Sequence, residues 1–139
     1  MAVERVWATP LSAELVRIDN IPWFVPNLAL GDLVSTRENS GSGDVEPVER
    51  IRWSGNCTIR VIPYASGALR GDLARVVALF EPLGVAAEVV GQFRMVGLNV
   101  PPAVDIAAVK RLLAQGGKEG WWDYEESCVG DAWENEVIR

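Results

Sequence analysis

The hydrophobic pattern of residues 57–126 limits the fold of this chain more than any other feature of its sequence. Cys57, Ile59 and Val61 alternate with polar residues, as in a strand with one buried face. Farther along, two segments have apolar residues at helical spacing and three have the compact apolar runs of strands. The predicted elements are a strand over 57–61, a helix over 69–83, strands over 85–90 and 93–100, a helix over 106–115 and a strand over 121–126. This order is that of the split β-α-β unit of ferredoxin-like folds.

The two predicted helices determine how the four strands have to be arranged. Each helix has one apolar stripe, so both need to cover the same face of a single sheet, which the strand order 4-1-3-2 provides. Asp105 is the expected N-cap of the second helix, and Gly116-Gly117 is its expected end. The other face of the sheet is left to solvent, a ligand, a partner or the N-terminal strands.

The first part of the chain has the short strands and turns of a small antiparallel β subdomain, either SH3-like or a curled sheet. Pro22 and Pro26 interrupt an apolar run there, so that run is expected to be a loop or an edge. The composition of residues 39–44 predicts a hairpin loop. The expected organisation is α+β, with the antiparallel β subdomain over 1–55, a ferredoxin-like subdomain over 56–128 and a polar tail over 129–139, all packed as one compact unit.

The charge of the chain argues against two classes of partner. The 139 residues carry a formal net charge of −6 and have a sequence pI of about 4.7, whereas nucleic acids and anionic membranes attract Lys and Arg. No apolar run approaches the roughly 20 residues that span a bilayer, and the first residues lack the pattern of a signal peptide. We therefore expect a cytoplasmic protein without nucleic-acid or membrane partners, and the sequence leaves its oligomeric state open.

The absence of histidine excludes several kinds of active site. Ser-His-Asp and Cys-His chemistry are ruled out, and the commonest general base and transition-metal ligand are missing. Cys57 and Cys128 are too few for a four-sulfur zinc site, and buried free thiols are their expected state. No metal or cofactor is expected, since no phosphate-binding glycine motif is present either.

An acidic, tryptophan-rich stretch over residues 119–136 is the strongest candidate for a binding surface. It has seven acidic residues and no basic one, together with aromatic side chains of the kind that binding hot spots contain. Such a surface would steer a cationic partner towards it. An alternative is that the aromatic residues fill the core and the acidic residues keep the protein in solution. The residues predicted to bind a partner are Trp121, Asp123, Glu125, Glu126 and Trp133.

A second candidate site lies at the junction of the two parts, where small polar side chains and a thiol occur together. As a nucleophile, Cys57 would need a lowered pKa, which Arg52 or Arg60 would have to supply. Its phase with Ile59 and Val61 instead indicates a thiol in the core. The predicted cleft is lined by Ser54, Asn56, Cys57 and Thr58.

Short segments spread over residues 4–130 occur in an order that is similar to that of one protein family. Among them are Val6-Trp7-Ala8, Gly31-Asp32-Leu33-Val34, Ser54-Gly55-Asn56-Cys57, Asn99-Val100-Pro101-Pro102 and Gly120-Trp121-Trp122-Asp123. On these segments the chain resembles DUF4265, a bacterial family of small proteins known as a domain of unknown function. The resemblance implies a β part followed by an α+β part, and no known activity. Members of that family often have a histidine where this chain has Asn56, so any chemistry of that histidine would be absent here.

Three functions remain open from the sequence. The first is a non-catalytic protein-binding module, in its sharpest form an antitoxin or immunity protein that binds a basic partner. The second is a small-molecule sensor that uses a free face of the sheet. The third is a carboxylate-dependent enzyme, because Asp123 and Glu125 share one face of a strand and would hold Mg²⁺ only with further ligands.

Overall fold

The computed structural model describes residues 4–38, 41 and 44–138, which form two antiparallel sheets and three helices. The N-terminal sheet contains β1 (Ala8–Ser12), β2 (Leu15–Ile18), β3 (Leu33–Glu38) and β4 (Val45–Arg52). The C-terminal sheet contains β5 (Cys57–Pro63), β6 (Ala86–Val90), β7 (Met95–Val100) and β8 (Trp122–Cys128). The helices are α1 (Leu73–Phe80), α2 (Ile106–Lys118) and α3 (Asp131–Asn135). The chain is therefore α+β, as its sequence predicts.

The strands of the N-terminal sheet are neighbours in chain order, β1-β2-β3-β4, and each pair is antiparallel. Within the described part of the chain β1 and β4 do not pair with each other, so both are edges. The register of β4 shifts twice, which makes Val48 and Ile51 the extra residues of two bulges and turns them towards solvent. Bulges of this kind hinder the pairing of an edge with another strand. Most of the loop predicted over 39–44 lies outside the described residues.

The C-terminal sheet has the strand order β6-β7-β5-β8, and every pair is antiparallel. Numbered from β5, this is the predicted order 4-1-3-2. Both long helices pack against one face of this sheet, which we call the helix face, and the opposite face is called the outer face. The core between sheet and helices includes Ile59, Val61, Val76, Phe80, Leu98, Val109, Leu113 and Trp122.

Helix α1 is shorter than the predicted helix because the chain before it turns sharply. Arg70 and Gly71 have φ angles of 54° and 68°, which are incompatible with a right-handed helix. Asp72 caps α1 by accepting a hydrogen bond from the Ala74 N–H at 3.0 Å. Leu69 still reaches the core, but it does so from the preceding loop.

Helix α2 begins where the sequence predicts and ends later. The Asp105 carboxylate accepts a hydrogen bond from the Ala108 N–H at 3.1 Å, as an N-cap does. The helix continues through Gly116, where a Cβ atom would lie 2.1 Å from the Trp122 ring. Gly116 is therefore a packing position, and the helix ends at Lys118.

Residues 129–138, predicted to be a polar tail, contain a short helix with one buried side chain. Helix α3 places Trp133 in the core, where 1% of the residue is exposed. Lys110 Nζ donates hydrogen bonds to the carbonyl oxygens of Trp133 and Glu136, at 2.7 and 2.6 Å, and so satisfies carbonyl groups at the end of the helix. The buried Trp133 ring and the Lys110 side chain of α2 thus hold this acidic segment against the rest of the domain.

Residues 21–30, called the strap, cross the outer face of the C-terminal sheet without regular secondary structure. Ile21 lies over Gly97, where a Cβ atom would be 3.1 Å from the isoleucine methyl group. The Thr58 hydroxyl donates a hydrogen bond to the Leu28 carbonyl at 2.9 Å. Part of the outer face is therefore covered by the N-terminal part of the chain, and the strap joins the two sheets.

Candidate functional site

The acidic strand β8 presents its side chains alternately to the two faces of the sheet, as predicted. Pairing with β5 places Asp123 opposite Ile62 and Glu125 opposite Arg60, all on the outer face. Trp122 points to the helix face and is buried. The Asp123 and Glu125 carboxylates are therefore on the opposite side of the sheet from the Trp122 indole ring.

Two of the five residues predicted to bind a partner, Trp121 and Trp133, pack in or against the core, and the exposed Glu126 is hydrogen-bonded to Trp133. Trp133 is buried, which corrects its prediction as a surface residue, and its Nε1–H donates to Glu126 Oε2 at 2.7 Å. Trp121 is half-buried and contacts Trp122 edge to face, with ring centroids 5.6 Å apart. These side chains stabilise the packing of β8, and the two carboxylates of the outer face are left as candidates.

Glu125 is half of an ion pair with a buried arginine. Arg60 and Glu125 approach to 2.7 Å, although the arginine side chain is 8% exposed and the glutamate side chain is 62% exposed. A second N–H group of Arg60 donates to the Val25 carbonyl of the strap at 3.0 Å. Asp123 is exposed, and its carboxylate accepts a hydrogen bond from the Tyr124 N–H at 2.9 Å. Asp123 therefore presents its charge to solvent, whereas the charge of Glu125 is largely balanced.

Exposed apolar side chains lie on the same side of the molecule as these two carboxylates. Phe24 of the strap and Phe93, which precedes β7, contact edge to face with centroids 4.9 Å apart, and they are 45% and 49% exposed. Arg60 links the strap to Glu125, so the aromatic pair and the carboxylates belong to one side of the molecule. We call this side the strap surface, and its members are Phe24, Val25, Ile62, Phe93, Asp123 and Glu125.

Sequence reasoning missed the four apolar members of the strap surface. The available signal was an apolar run interrupted by Pro22 and Pro26, which predicts a segment that does not pair as a central strand. The position of that run on the outer face follows from contacts between residues far apart in the chain. The hydrogen bond from Arg60 to Val25 is one of these contacts.

The polar residues of the predicted cleft bind the strap. Ser54 Oγ and Asn56 Nδ2 both donate to the Leu30 carbonyl, at 2.7 and 2.8 Å. Thr58 makes the equivalent bond to Leu28. Their side chains are thus used to join the two sheets, and a further role in ligand binding stays a prediction.

Asp32 is a fully buried carboxylate at the same junction. It accepts hydrogen bonds from the Ala29 N–H at 2.9 Å and from the Ser54 N–H at 2.8 Å. Arg50 lies 3.5 Å away and compensates part of the buried charge. Gly31, with a φ angle of 84°, supplies the left-handed turn that brings the carboxylate back onto the strap. These bonds fix the end of the strap next to the start of β5.

An apolar cavity of about 140 Å³ lies beside Cys57 on the helix face. Burial raises the pKa of the Cys57 thiol and also that of Cys128, even though Arg50 lies 3.4 Å from the Cys128 sulfur. Arg60 does not lower the pKa of Cys57, because its guanidinium is bound on the outer face. Both thiols are therefore protonated near neutral pH, which argues against a cysteine nucleophile. Residues that line the cavity include Trp53, Cys57, Val100, Pro102, Ile106 and Ala132.

Two features are absent from the part of the chain that the structure describes. No group of three or more cysteine, aspartate or glutamate side chains is arranged there to hold a metal ion. No helix among the described residues is long and apolar enough to cross a membrane.

Comparison with known proteins identifies the family. The model of a family described as a domain of unknown function, DUF4265, matches residues 4–124. The chain belongs to this family. A solved structure, described as the novel crystal structure of a hypothetical protein from Neisseria gonorrhoeae, is similar to the chain with a TM-score of 0.70 and 25% sequence identity, and the match covers 84% of this chain and 77% of that one. No curated protein matches the chain.

The DUF4265 match contains nearly the whole strap surface. Phe24, Phe93 and Asp123 lie inside residues 4–124, and Glu125 is the next residue after Tyr124. Helix α3, with the buried Trp133, follows the matched region. Apart from Glu125, the candidate surface is thus built from the part of the chain that the DUF4265 model describes.

Proposed function

We propose that this DUF4265 protein is a non-catalytic protein-binding module that docks a basic partner on the strap surface. The observation that carries the proposal is the half-exposed Phe24–Phe93 pair on the same side of the molecule as the Asp123 and Glu125 carboxylates. An antitoxin or immunity protein is the sharpest form of this role. In this proposal the SH3-like or curled N-terminal sheet and the ferredoxin-like C-terminal part together hold the strap in place. The free thiols suit a cytoplasmic, reducing location.

The aromatic pair supplies the apolar part of the proposed contact. Phe24 and Phe93 already pack against each other at 4.9 Å, so a partner that covers them has little side-chain freedom to remove. Exposed aromatic rings are also large apolar areas, and each Å² that a partner removes from water contributes about 25 cal/mol. A docked side chain that covers both rings would therefore act as a hot spot.

Asp123 supplies the charge of the proposed contact. Glu125 is already paired with Arg60, so the exposed carboxylate of Asp123 and the net charge of −6 provide the attraction for a cationic partner. The same pairing weakens the case for a carboxylate-dependent enzyme, because the two carboxylates do not form a free acid/base pair. Docking by charge in this way predicts that association slows as salt is added.

Affinity capture from a lysate of the source organism identifies a candidate partner, and calorimetry with the purified partner then tests the strap surface. Phe24→Ala and Asp123→Asn should each weaken binding about tenfold, as truncation of a hot-spot residue does. Val48→Ala is the control, because Val48 is exposed to 59% on β4 of the other sheet. Binding that is unchanged in all three variants, or a partner that is acidic, would reject the proposed docking site.

A small-molecule sensor is the second candidate, and the apolar cavity beside Cys57 favours it. Dry apolar cavities of about this volume accept ligands of the size of benzene. Benzene or indole should raise the melting temperature of the wild type, whereas Ala132→Leu, which fills part of the cavity, should abolish that rise. If neither compound stabilises the wild type, the sensor alternative loses its structural basis.

A further inference from the structure

The carboxylate of Glu4 is bound by three consecutive backbone N–H groups of the strap. The Phe24 and Val25 N–H groups both donate to Oε2, at 2.9 Å. The Trp23 N–H donates to the other oxygen, Oε1. Glu4 and these residues are about twenty positions apart in the chain, so the contact is a tertiary one. The strap thus holds an anion on its backbone.

Successive N–H groups that converge on one point form a concave anion-binding site, of the kind that captures phosphate groups and terminal carboxylates in proteins. In this chain the site lies in a loop without regular secondary structure, where Phe24 and Val25 are exposed. If the Glu4 side chain moved away, the three N–H groups would face solvent and would be open to another anion.

We propose that the three N–H groups of residues 23–25 are a carboxylate-binding site, in which Glu4 is a built-in occupant that an external carboxylate with an apolar group replaces. The carboxylate of such a ligand takes the place of the Glu4 oxygens. Its apolar group lies against the Phe24–Phe93 pair, whose rings are half-exposed next to the site. This site goes beyond the proposed function, since it binds an anion and not a basic partner.

The charges around the strap permit this exchange. The three N–H groups would still hold a single carboxylate, and the displaced Glu4 side chain, which stays attached to the chain, would turn to solvent. Arg60 lies beneath the strap and donates to the Val25 carbonyl at 3.0 Å, with Glu125 as its counter-ion. Glu88 accepts a hydrogen bond from Trp23 Nε1 at 3.2 Å, so the apolar group of a ligand should point away from Glu88 and towards Phe24.

Within the described residues, two polar atoms of the outer face near the strap are buried without partners. Arg60 Nε and Asn99 Oδ1, both on the outer face, are buried and have no hydrogen-bond partner in the described structure. Buried polar atoms of this kind raise the free energy of the closed state, because they have lost their bonds to water. A movement of the strap that admits water would restore those bonds, which lowers the cost of releasing Glu4.

Phenylacetate is the probe that tests the site, with backbone amide NMR shifts as the readout. In Glu4→Ala the amides of residues 23–25 should show saturable downfield shifts on titration with phenylacetate. The wild type should need about tenfold more ligand, because the tethered Glu4 side chain competes. Glu14→Ala is the charge-matched control, since Glu14 is exposed in the β1–β2 turn, and it should behave as the wild type does. Shifts at these amides that phenylacetamide reproduces, or no shifts in Glu4→Ala, would overturn the proposal.

Glu4→Gln covers the case in which Glu4→Ala does not fold. The glutamine keeps the shape of the side chain and removes its charge, which weakens its hold on the three N–H groups. Phenylacetate should then raise the melting temperature of Glu4→Gln more than that of the wild type, and phenylacetamide should not. Equal effects of the acid and the amide would count against a carboxylate site. Because this readout needs no protein partner, it is independent of the docking experiment.

Discussion

Gly116→Ala tests the packing of α2 against Trp122. Helix propensity alone predicts that this change stabilises the protein, whereas the contact with Trp122 predicts that it destabilises the protein. In the interior of a helix, replacing glycine by alanine is worth about 1 kcal/mol of stability. At Gly116, however, the added methyl group would lie 2.1, 2.3 and 2.5 Å from three atoms of the Trp122 ring. The ring is 1% exposed and its Nε1–H donates to the Leu113 carbonyl at 3.1 Å, so it has no free space to move into.

The opposing contributions can be compared in size. Overpacking a core costs about 1–3 kcal/mol, and displacement of Trp122 from its hydrogen bond leaves a buried donor unpaired at about 1–3 kcal/mol more. After the gain in helix propensity, Gly116→Ala should lower the free energy of unfolding by about 1–5 kcal/mol. Gly117 is the matched control, because a Cβ atom there meets Tyr124 at 3.5 Å, an ordinary contact. Gly117→Ala should therefore stabilise the protein by up to about 1 kcal/mol.

Urea unfolding, followed by tryptophan fluorescence and far-UV circular dichroism, measures both variants. The midpoint should fall for Gly116→Ala and should rise or stay unchanged for Gly117→Ala, with similar dependence on urea concentration. A Gly116→Ala protein as stable as the wild type would refute the close approach of Trp122 to the helix. A similar loss in both variants would instead indicate that the two glycines end the helix, as the sequence pattern suggests.

Three further predictions concern the core, the thiols and the ion pair. Trp133→Ala removes a buried ring and should cost about 3–5 kcal/mol in urea unfolding, whereas a tryptophan in a polar tail would cost almost nothing. Burial raises the pKa of Cys57 above its usual 9.0, so the unfolded thiol loses its proton first and the melting temperature should fall as the pH rises through about 9; Cys57→Ala should make that fall shallower. Glu125→Lys places a cation beside the buried Arg60 and should cost about 1–3 kcal/mol in thermal unfolding, while Asp123→Lys should cost less than about 0.5 kcal/mol. Equal losses in these two lysine variants would contradict the ion pair.

Most of the C-terminal sheet could be predicted because its signals are local. The strand β5 and the cap at Asp105 follow from neighbouring residues alone, and both agree with the structure, but the outer face of β5, predicted to be exposed, is buried at Thr58 and Arg60. The end of α2 could not be predicted in the same way. The Gly116-Gly117 pair is a typical stop signal, but the ring of Trp122, which comes from the next strand, decides what Gly116 does.

The candidate site was harder to predict, because burial there depends on distant partners. Residues 119–136 are so acidic that the sequence predicts an exposed segment along their whole length. Trp133 is nevertheless buried, and Lys110, from a different helix, satisfies its carbonyl group. The exposed aromatic rings of the strap surface are instead those of Phe24 and Phe93, which belong to a loop and a turn. No periodic pattern marks residues of that kind.

The strap also explains why the outer face of β5 holds polar side chains that are not exposed. A segment that crosses a sheet without pairing leaves its own backbone groups unpaired, and where they are buried these groups need other partners. Arg60 donates a hydrogen bond to the Val25 carbonyl and Thr58 donates one to the Leu28 carbonyl, so both side chains are polar and yet buried. The Glu4 carboxylate in turn accepts hydrogen bonds from N–H groups of the strap. The strap is bonded to β8 through the Asn27 N–H and the Ser127 carbonyl, at 2.8 Å, but it is otherwise held largely by side chains that single substitutions can release. The strands on either side are held by ladders of backbone hydrogen bonds that no single substitution removes.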